Sequence, residues 1–396
     1  MGVRTDVVII GAGAAGLSLA ERLCTATGRA PAVRLVDAPA GPLRPPPRTW
    51  CFWERGPGRY DDAVTASWNR IRVRGTDGRL VDAGTGALRY KMIRSTDFEA
   101  TLAPRLAAHA SLTRTEGTVE TVEEDADGAR VVVRTADGRR ESLPARWVFD
   151  SRPLGSLPPA RTTLLQHFRG WFVRTDRPAF DPHAVDLMDF RTPQPDRGLA
   201  FTYVLPTGER TALVEYTQFS PAVLPTGEYD TALRAYLHDV LGLGDVRVEA
   251  REEGVIPMTD ARFARRVGRS TFRIGAAGGA TRPATGYTFA TIQRQTAAIA
   301  TALLAGRDPA PPPPHSKRSM AMDAVLLHGL DSGRIDGAAF FTRLFSRVPM
   351  ERLLRFLDGD TALHEDLSIG LNSPVVPLLR SAVELPARPL RPAPTP

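Results

Sequence analysis

The apolar positions of this chain fall into two rhythms, and the switch between them marks its organisation. Val7 to Ile10 form an unbroken apolar run ending on Gly11, the pattern of a parallel strand buried on both faces. Helical spacing follows from Leu17 to Leu23, and a second strand pattern, Ala32 to Val36, ends on Asp37. Trp147 to Phe149 and Thr271 to Ile274 are further strands that run into turns, the latter followed by a long helix through about Leu304. From Thr162 to Ser220 the period becomes two. There Leu164 to Arg174, Val185 to Phe190, Leu199 to Leu205 and Thr211 to Phe219 alternate between Pro-containing turns, which predicts an antiparallel sheet. Arg70 to Leu88 predicts short strands, and Thr118 to Ala145 a meander turning at Asp127-Gly128 and Asp137-Gly138. Ser95 caps a predicted helix carrying Phe98, Leu102 and Leu106, and helical spacing recurs over Tyr229 to Leu241, Met320 to Leu330 and Ala338 to Leu357.

Gly11, Gly13 and Gly16, with Ala14 and Ala15 before the last, fit G-x-G-x-x-G between the first strand and its helix. That spacing serves a tight turn, close approach of a pyrophosphate and helix–strand packing, with the phosphates on the amides at the helix start. Asp37 stands where an acidic side chain would bond the adenosine ribose hydroxyls. The chain is therefore read as α/β, α+β overall. A Rossmann-type nucleotide-binding domain occupies 1–160, with an inserted antiparallel β-sheet substrate domain over 161–255 and a return of the first domain over 256–308. A helical region over 315–384 and a Pro-rich, disordered tail over 385–396 complete it, and Pro309 to Pro314 read as a stiff linker.

Composition narrows the partners. There are 51 basic against 44 acidic residues, but lysine occurs only at Lys91 and Lys317 and the arginines are scattered, so the +7 charge does not indicate nucleic acid. Cys24 and Cys51 suit a reducing cytosol, and with the seven histidines they show no metal-ligand spacing, so no metal is expected. Glycines interrupt the apolar stretch Val7 to Ala20, which argues against a signal peptide, and no run of about 18 apolar residues predicts a membrane span. After the prolines at 45–47, Trp50, Phe52 and Trp53 read either as core or as the wall of an apolar cavity.

The junctions at Gly11 to Gly16, Phe149 to Pro153 and Ile274 to Gly286 have the order and spacing of the glutathione-reductase-like flavoprotein fold. More narrowly, the chain resembles the bacterial lycopene β-cyclases of carotenoid synthesis. The resemblance is carried by the N-terminal fingerprint, Pro47 to Glu54, Met92 to Ser95, Phe149 to Arg152, Leu165 to Gly170, Leu213 to Thr217, Ile256-Pro257 and Gly275 to Tyr287. Where flavin hydroxylases carry Gly-Asp at the third junction, this chain has Gly275-Ala276, a departure that puts hydroxylase-like flavin cycling in doubt.

The resemblance implies reduced FAD as cofactor, with electrons from NAD(P)H, and lycopene as substrate. The reaction would be an acid-catalysed, non-redox closure of ψ-ends to β-ionone rings, giving γ- and then β-carotene. It implies flavin contacts at Arg94, Asp150, Gly275, Gly278, Gly279, Gly286 and Tyr287, beside the fingerprint and Asp37. It places Trp50, Trp53 and Phe289 along the substrate. Within Ala212 to Thr217, Glu215 shares a strand face with Leu213 and Thr217, opposite Val214 and Tyr216. Spacing alone favours a solvated glutamate there; the resemblance assigns Glu215 the role of catalytic acid, kept protonated by burial. A hydrocarbon substrate implies a cytoplasmic protein in peripheral contact with the membrane, and Phe340 to Leu357, apolar with several Arg, reads as an interfacial segment or a core helix. A flavin monooxygenase or halogenase of the same fold, a cyclase of another isoprenoid, and a carotenoid-binding protein without turnover are the alternative readings. The sequence does not specify an oligomeric state.

Overall fold

The computed structural model describes residues 5–26 and 28–392. In chain order its strands are β1 (Thr5–Ile10), β2 (Val33–Asp37), β3 (Thr49–Arg55), β4 (Ala66–Trp68), β5 (Arg70–Arg74), β6 (Leu80–Gly84), β7 (Leu88–Arg94), β8 (Leu112–Asp125), β9 (Gly128–Thr135), β10 (Arg140–Asp150), β11 (Thr163–Arg174), β12 (Ala184–Asp189), β13 (Leu199–Gly208), β14 (Thr211–Ser220), β15 (Arg247–Thr259) and β16 (Thr271–Arg273). The helices are α1 (Ala14–Cys24), α2 (Ser95–Ala107), α3 (Thr226–Ala235), α4 (Phe289–Leu304), α5 (Lys317–Asp331), α6 (Gly337–Arg347), α7 (Met350–Asp358), α8 (Leu363–Leu371) and α9 (Val375–Glu384).

The first sheet is a parallel layer, β8–β2–β1–β10–β16, formed with the near halves of the long strands β8 and β10. Their other halves fold with β9 into an antiparallel meander. The unbroken apolar run of β1 follows from this sandwich. Val7 and Ile9 pack on the side of α1 and α4, whereas Val8 and Ile10 pack on the meander with Val131, Val133 and Leu143. Both faces of the strand are dry, so neither can carry polar residues.

The second sheet has the order β15-β11-β14-β13-β12-β5-β6. Strands β11 to β15 are antiparallel to their neighbours among themselves, as the period of two predicts. The sequence reading left 70–88 with the nucleotide domain, but β5 and β6 extend this second sheet, with β5 lying parallel to β12. The reason is partner choice: Ile71 and Val73 are fully buried against the same core as Val185 and Leu187. One sheet face packs on α3 through Trp171, Val214 and Tyr216, and the other on the C-terminal helices. A small third sheet, β3-β7-β4, lies between the two large ones.

One further expectation is corrected, and of two open readings the core helix is the one observed. The tail expected to be disordered from Leu385 forms a 3-10 turn over Leu385–Ala387 and a bridge from Arg391 to Ala160, satisfying backbone groups of both; residues 393–396 lie outside the described residues. The segment Phe340 to Leu357, read as a possible interfacial helix, turns its Phe341, Leu344, Leu353 and Leu354 into the core. Exposed apolar side chains lie instead on α8 and α9, at Leu363, Leu367 and Leu371 and at Val376, Leu379 and Val383.

The C-terminal helices are tied to the last glycine-rich turn by a buried ion pair. Arg282 donates from Nε to Asp323 Oδ2 at 2.6 Å and from Nη2 to Oδ1 at 3.1 Å, and both residues are almost fully buried. Replacing one partner strands the other's charge in a dry interior, at a cost of about 3–5 kcal/mol. Asp323→Ala is therefore expected to lower the midpoint of denaturant unfolding strongly; an unfolding free energy within about 0.5 kcal/mol of the parent would contradict this account of the junction.

Candidate functional site

The nucleotide fingerprint divides its three glycines by task. Gly11 has φ +93°, in the left-handed region, and its amide bonds Val36 O at 2.8 Å. A Cβ on Gly16 would overlap the Gly11 carbonyl oxygen, so this glycine lets α1 lie against the turn. A Cβ on Gly13 would meet nothing within 4 Å, which leaves open space at the start of α1. Ala14 and Ala15 open the helix and are buried. Asp37 lies at the end of β2 and accepts from the Ala12 amide at 3.4 Å. The residues therefore fit a dinucleotide: a helix start with free amides, an open approach and an acid beside it.

The other two junctions meet this one. Ser151 donates its hydroxyl to Ile10 O at 2.7 Å, and the Ile274 amide bonds Asp150 O at 3.0 Å. Gly275, Gly278 and Gly279 form a 3-10 turn and its cap, and a Cβ on Gly275 would sit 3.1 Å from that of Ala15. Gly286 lies against the carboxamide of Gln166 on β11. The turn thus spans the distance from the fingerprint to the second sheet. Asp150 is already engaged, taking Arg152 Nη2 at 2.7 Å and the Arg152 amide at 2.9 Å. Arg94 lays its guanidinium 4.5 Å over the ring of Phe172 on β11.

Strand alternation along β3 splits the expected cavity wall. Trp50 and Phe52 point into the nucleotide domain, where Trp50 stacks on Phe289 at 5.6 Å and meets Phe98 edge-on. Trp50 and Phe289, expected along the substrate, are therefore core packing of that domain. Cys51 and Trp53 point the opposite way. Trp53 lies 4.6 Å from Tyr287, whose hydroxyl is 3.2 Å from that of Tyr90. Tyr203 completes this group of phenols, of which Tyr90 is buried and Tyr203 and Tyr287 are partly buried; desolvation raises all three above the ordinary tyrosine range. The indole N–H of Trp53 and the Oε1 of Gln166, both beside this group, have no partner.

Glu215 lies on the same side. As alternation predicts, Val214 and Tyr216 pack under α3 while Leu213 faces the opposite core. Its cross-strand partner on β13 is Tyr203, and on β11 it is Gly170. Thr217 donates to Glu215 Oε1 at 3.0 Å. On the other side of Gly170 the partner is Glu252 of β15, to whose Oε2 Thr49 donates at 2.7 Å. Both glutamates are only 9% exposed. Burial, and then the charge of Glu252, push Glu215 well above the ordinary carboxyl range. Burial raises Glu252 too, against the hydrogen bond from Thr49 and the charges of Arg94 and Arg48.

Sequence reasoning missed Glu252, Tyr90, Tyr203 and Cys51. Glu252 sits in a charged run, Glu249 to Glu253, that reads as solvated, and its sole trace is Gly170, an isolated glycine inside an apolar strand. The space between Cys51, Trp53 and Tyr287 is about 10 Å³, so an extended substrate requires side chains to move. A cleft of about 290 Å³ beside Arg294, His315 and Asp358 is larger but polar, with Arg294 and Asp358 paired at 2.6 Å, and is unsuited to a hydrocarbon. Among the described residues no cluster could hold a metal ion, and no helix is long and apolar enough to cross a membrane.

Comparisons with known proteins agree with this architecture. A geranylgeranyl bacteriochlorophyll reductase-like protein from Thermoplasma acidophilum superposes with a TM-score of 0.62 at 12% identity, covering 96% of this chain and 99% of that one. The p-nitrophenol 4-monooxygenase PnpA from Pseudomonas putida DLL-E4 gives 0.60 at 15% identity, covering 97% and 98%. The flavin-dependent monooxygenase PieE, solved in complex with FAD and substrate, gives 0.61 at 15%, covering 98% and 72%. The fold is thus that of the FAD-binding flavoproteins. Among curated proteins no sequence match is significant. The family described as "Lycopene cyclase protein" matches residues 6–383, nearly the whole sequence, and the chain belongs to that lycopene cyclase family.

Proposed function

We propose that this protein binds FAD and, with the flavin reduced, cyclises the ψ-ends of lycopene to β-ionone rings, giving γ-carotene and then β-carotene. The observation that carries the reading is Glu215, a buried carboxyl paired across the strand with Tyr203, which desolvation and the neighbouring Glu252 push well above the ordinary carboxyl range. Family membership supports the substrate class.

The fingerprint, the 275–279 turn and Tyr287 would hold the cofactor, which when bound and reduced supplies negative charge near a developing cation. The chain's own groups do the rest. Glu215 protonates the terminal double bond, and the neighbouring double bond attacks the tertiary cation to close the ring. Loss of one ring proton then restores the proton count, with no net redox change. Tyr203 is the cross-strand neighbour of Glu215, and Tyr90, Tyr287 and Trp53 contact one another on the same side; an aromatic face attracts a cation by about 0.5–2 kcal/mol, and such a cluster would exclude the water that quenches it. The chain carries Ala276 where flavin hydroxylases carry the aspartate. The same fold also serves oxygen-consuming monooxygenases and a brominase.

The deciding experiment is anaerobic incubation with lycopene in liposomes, with and without chemically reduced FAD, followed by pigment chromatography. Cyclised carotenes are expected with reduced FAD alone. Bound FAD without cyclisation, together with NAD(P)H-dependent oxygen uptake under air, would favour the monooxygenase reading. Glu215→Gln should retain FAD and lose about 10²–10⁴-fold in kcat, the usual contribution of a general acid; near-parental turnover would remove Glu215 from the mechanism. For the cofactor site, Gly13→Ala should leave the unfolding midpoint of the apoprotein almost unchanged, because nothing lies within 4 Å of the added carbon. It should weaken FAD binding by more than tenfold, about 1.4 kcal/mol, measured by flavin fluorescence; unaltered affinity would place the dinucleotide elsewhere.

The substrate resides in bilayers, and we infer that the protein meets the cytoplasmic membrane surface through α8 and α9. Their exposed leucines and valines recur at helical spacing, with the exposed Arg347 and Arg380 nearby in the chain to meet anionic headgroups. Leu367→Asp combined with Leu379→Asp should abolish co-flotation with anionic vesicles and leave thermal unfolding unaltered. Retained flotation would exclude this face as the contact.

A further inference from the structure

Strand β11 runs between β14 and β15, and Gly170 is in register with Glu215 on one side and Glu252 on the other. A Cβ at Gly170 would lie 3.4 Å from the Cβ of Glu215, 3.3 Å from the Cγ of Glu252 and 2.8 Å from Leu213 Cδ1. The missing side chain is thus what allows two carboxyls on alternate strands to meet across the strand between them. Their surroundings are unequal. Around Glu215 are Thr217, Tyr203, Tyr287 and Cys51, none of them a cation. Around Glu252 are the hydroxyl of Thr49 and the charges of Arg48 and Arg94, with Cys51 on its near side.

We propose that Glu215 and Glu252 hold one proton between them across Gly170, with Glu252 the anionic member whose carboxylate accepts from Glu215 and keeps it in its acid form. Two buried like charges at contact cannot both be ionised, and the proton resides on the carboxyl that lacks a cation. Glu252 is a positioning residue: it touches Glu215 and acts through it. In turnover the pair gives one proton to the alkene through Glu215 and recovers one from the ring-closed cation, so its proton count is restored. This role in turnover rests on the cyclase reading. The shared proton itself does not, and it can be measured without substrate.

The test is an infrared titration of the purified, substrate-free protein, following the carbonyl stretch of a protonated carboxyl. Asp186, Asp323 and Asp358 are also raised by burial, so the signal is taken as the difference between the parent and Glu215→Gln. The parent should show this band persisting above neutral pH. In Glu252→Gln the negative charge that raises Glu215 is gone, so the band should titrate away at a pH lower by about one unit or more. Glu252→Asp, which keeps the charge at shorter reach, should fall between the two, and it carries the comparison if the glutamine variant fails to fold. A band unaffected by Glu215→Gln, or one whose midpoint is the same in all Glu252 variants, overturns the proposal. If the infrared result holds and lycopene is not cyclised, the shared proton stands and the cyclase reading fails. If cyclisation proceeds, the alkaline limb of kcat should move to lower pH in Glu252→Gln, in step with the band.

Discussion

Placing an ionised carboxylate in a dry interior costs several kcal/mol even after relaxation, and the second sheet places two such groups side by side. Most of what is distinctive around the site answers that cost. One proton serves both glutamates; Thr49 and Thr217 supply a hydrogen bond to each; Arg48 and Arg94 lend charge on the Glu252 side alone. The asymmetry matters more than the burial. Two buried glutamates in equal surroundings would still retain one proton, but on either carboxyl; the cations on the Glu252 side decide which one carries it.

The position of this acid relative to the nucleotide fingerprint follows from the turn at 275–287. It begins against Ala15 and ends against Gln166 and Tyr90, so it reaches from the start of α1 to the face of the second sheet. Its conformation is secured from behind by the buried pair of Arg282 and Asp323, which explains why a helix C-terminal to the nucleotide domain bears on the geometry of a site it does not line.

How far the sequence discloses this depends on whether a residue's environment is set locally or by strand pairing. The run Val7 to Ile10 and the three glycines predict β1, its turn and α1 because a continuous apolar run and glycine spacing within a dozen residues decide them. Glu215 is legible only in part: its strand-mates Val214 and Tyr216 fix which face it takes, but spacing alone favours a solvated carboxyl there, and its selection comes from the family resemblance. Glu252 is not, because its neighbours are charged and its burial comes from being opposite Gly170, a register that no local pattern encodes. Trp50 and Trp53 show the same limit on a smaller scale: both read as aromatic, and their offset of three positions along the strand sends one to each domain. The placement of β5 and β6 was hidden likewise, because their partner β12 lies more than a hundred residues along the chain, at Ala184 to Asp189.

That last pairing has a mechanical consequence. The chain leaves the nucleotide domain to lay down β5 and β6 in the second sheet, then returns through β7 and α2 before the insertion begins. The two sheets are therefore stitched by several crossings rather than joined by one pair of flexible connections. A hinge between them would have to strain all of these crossings at once, whereas the helices from α5 onward are attached through side-chain packing, a few ion pairs and the bridge from Arg391 to Ala160. The compliant part of the molecule is thus its helical layer, which can shift over an undeformed double sheet.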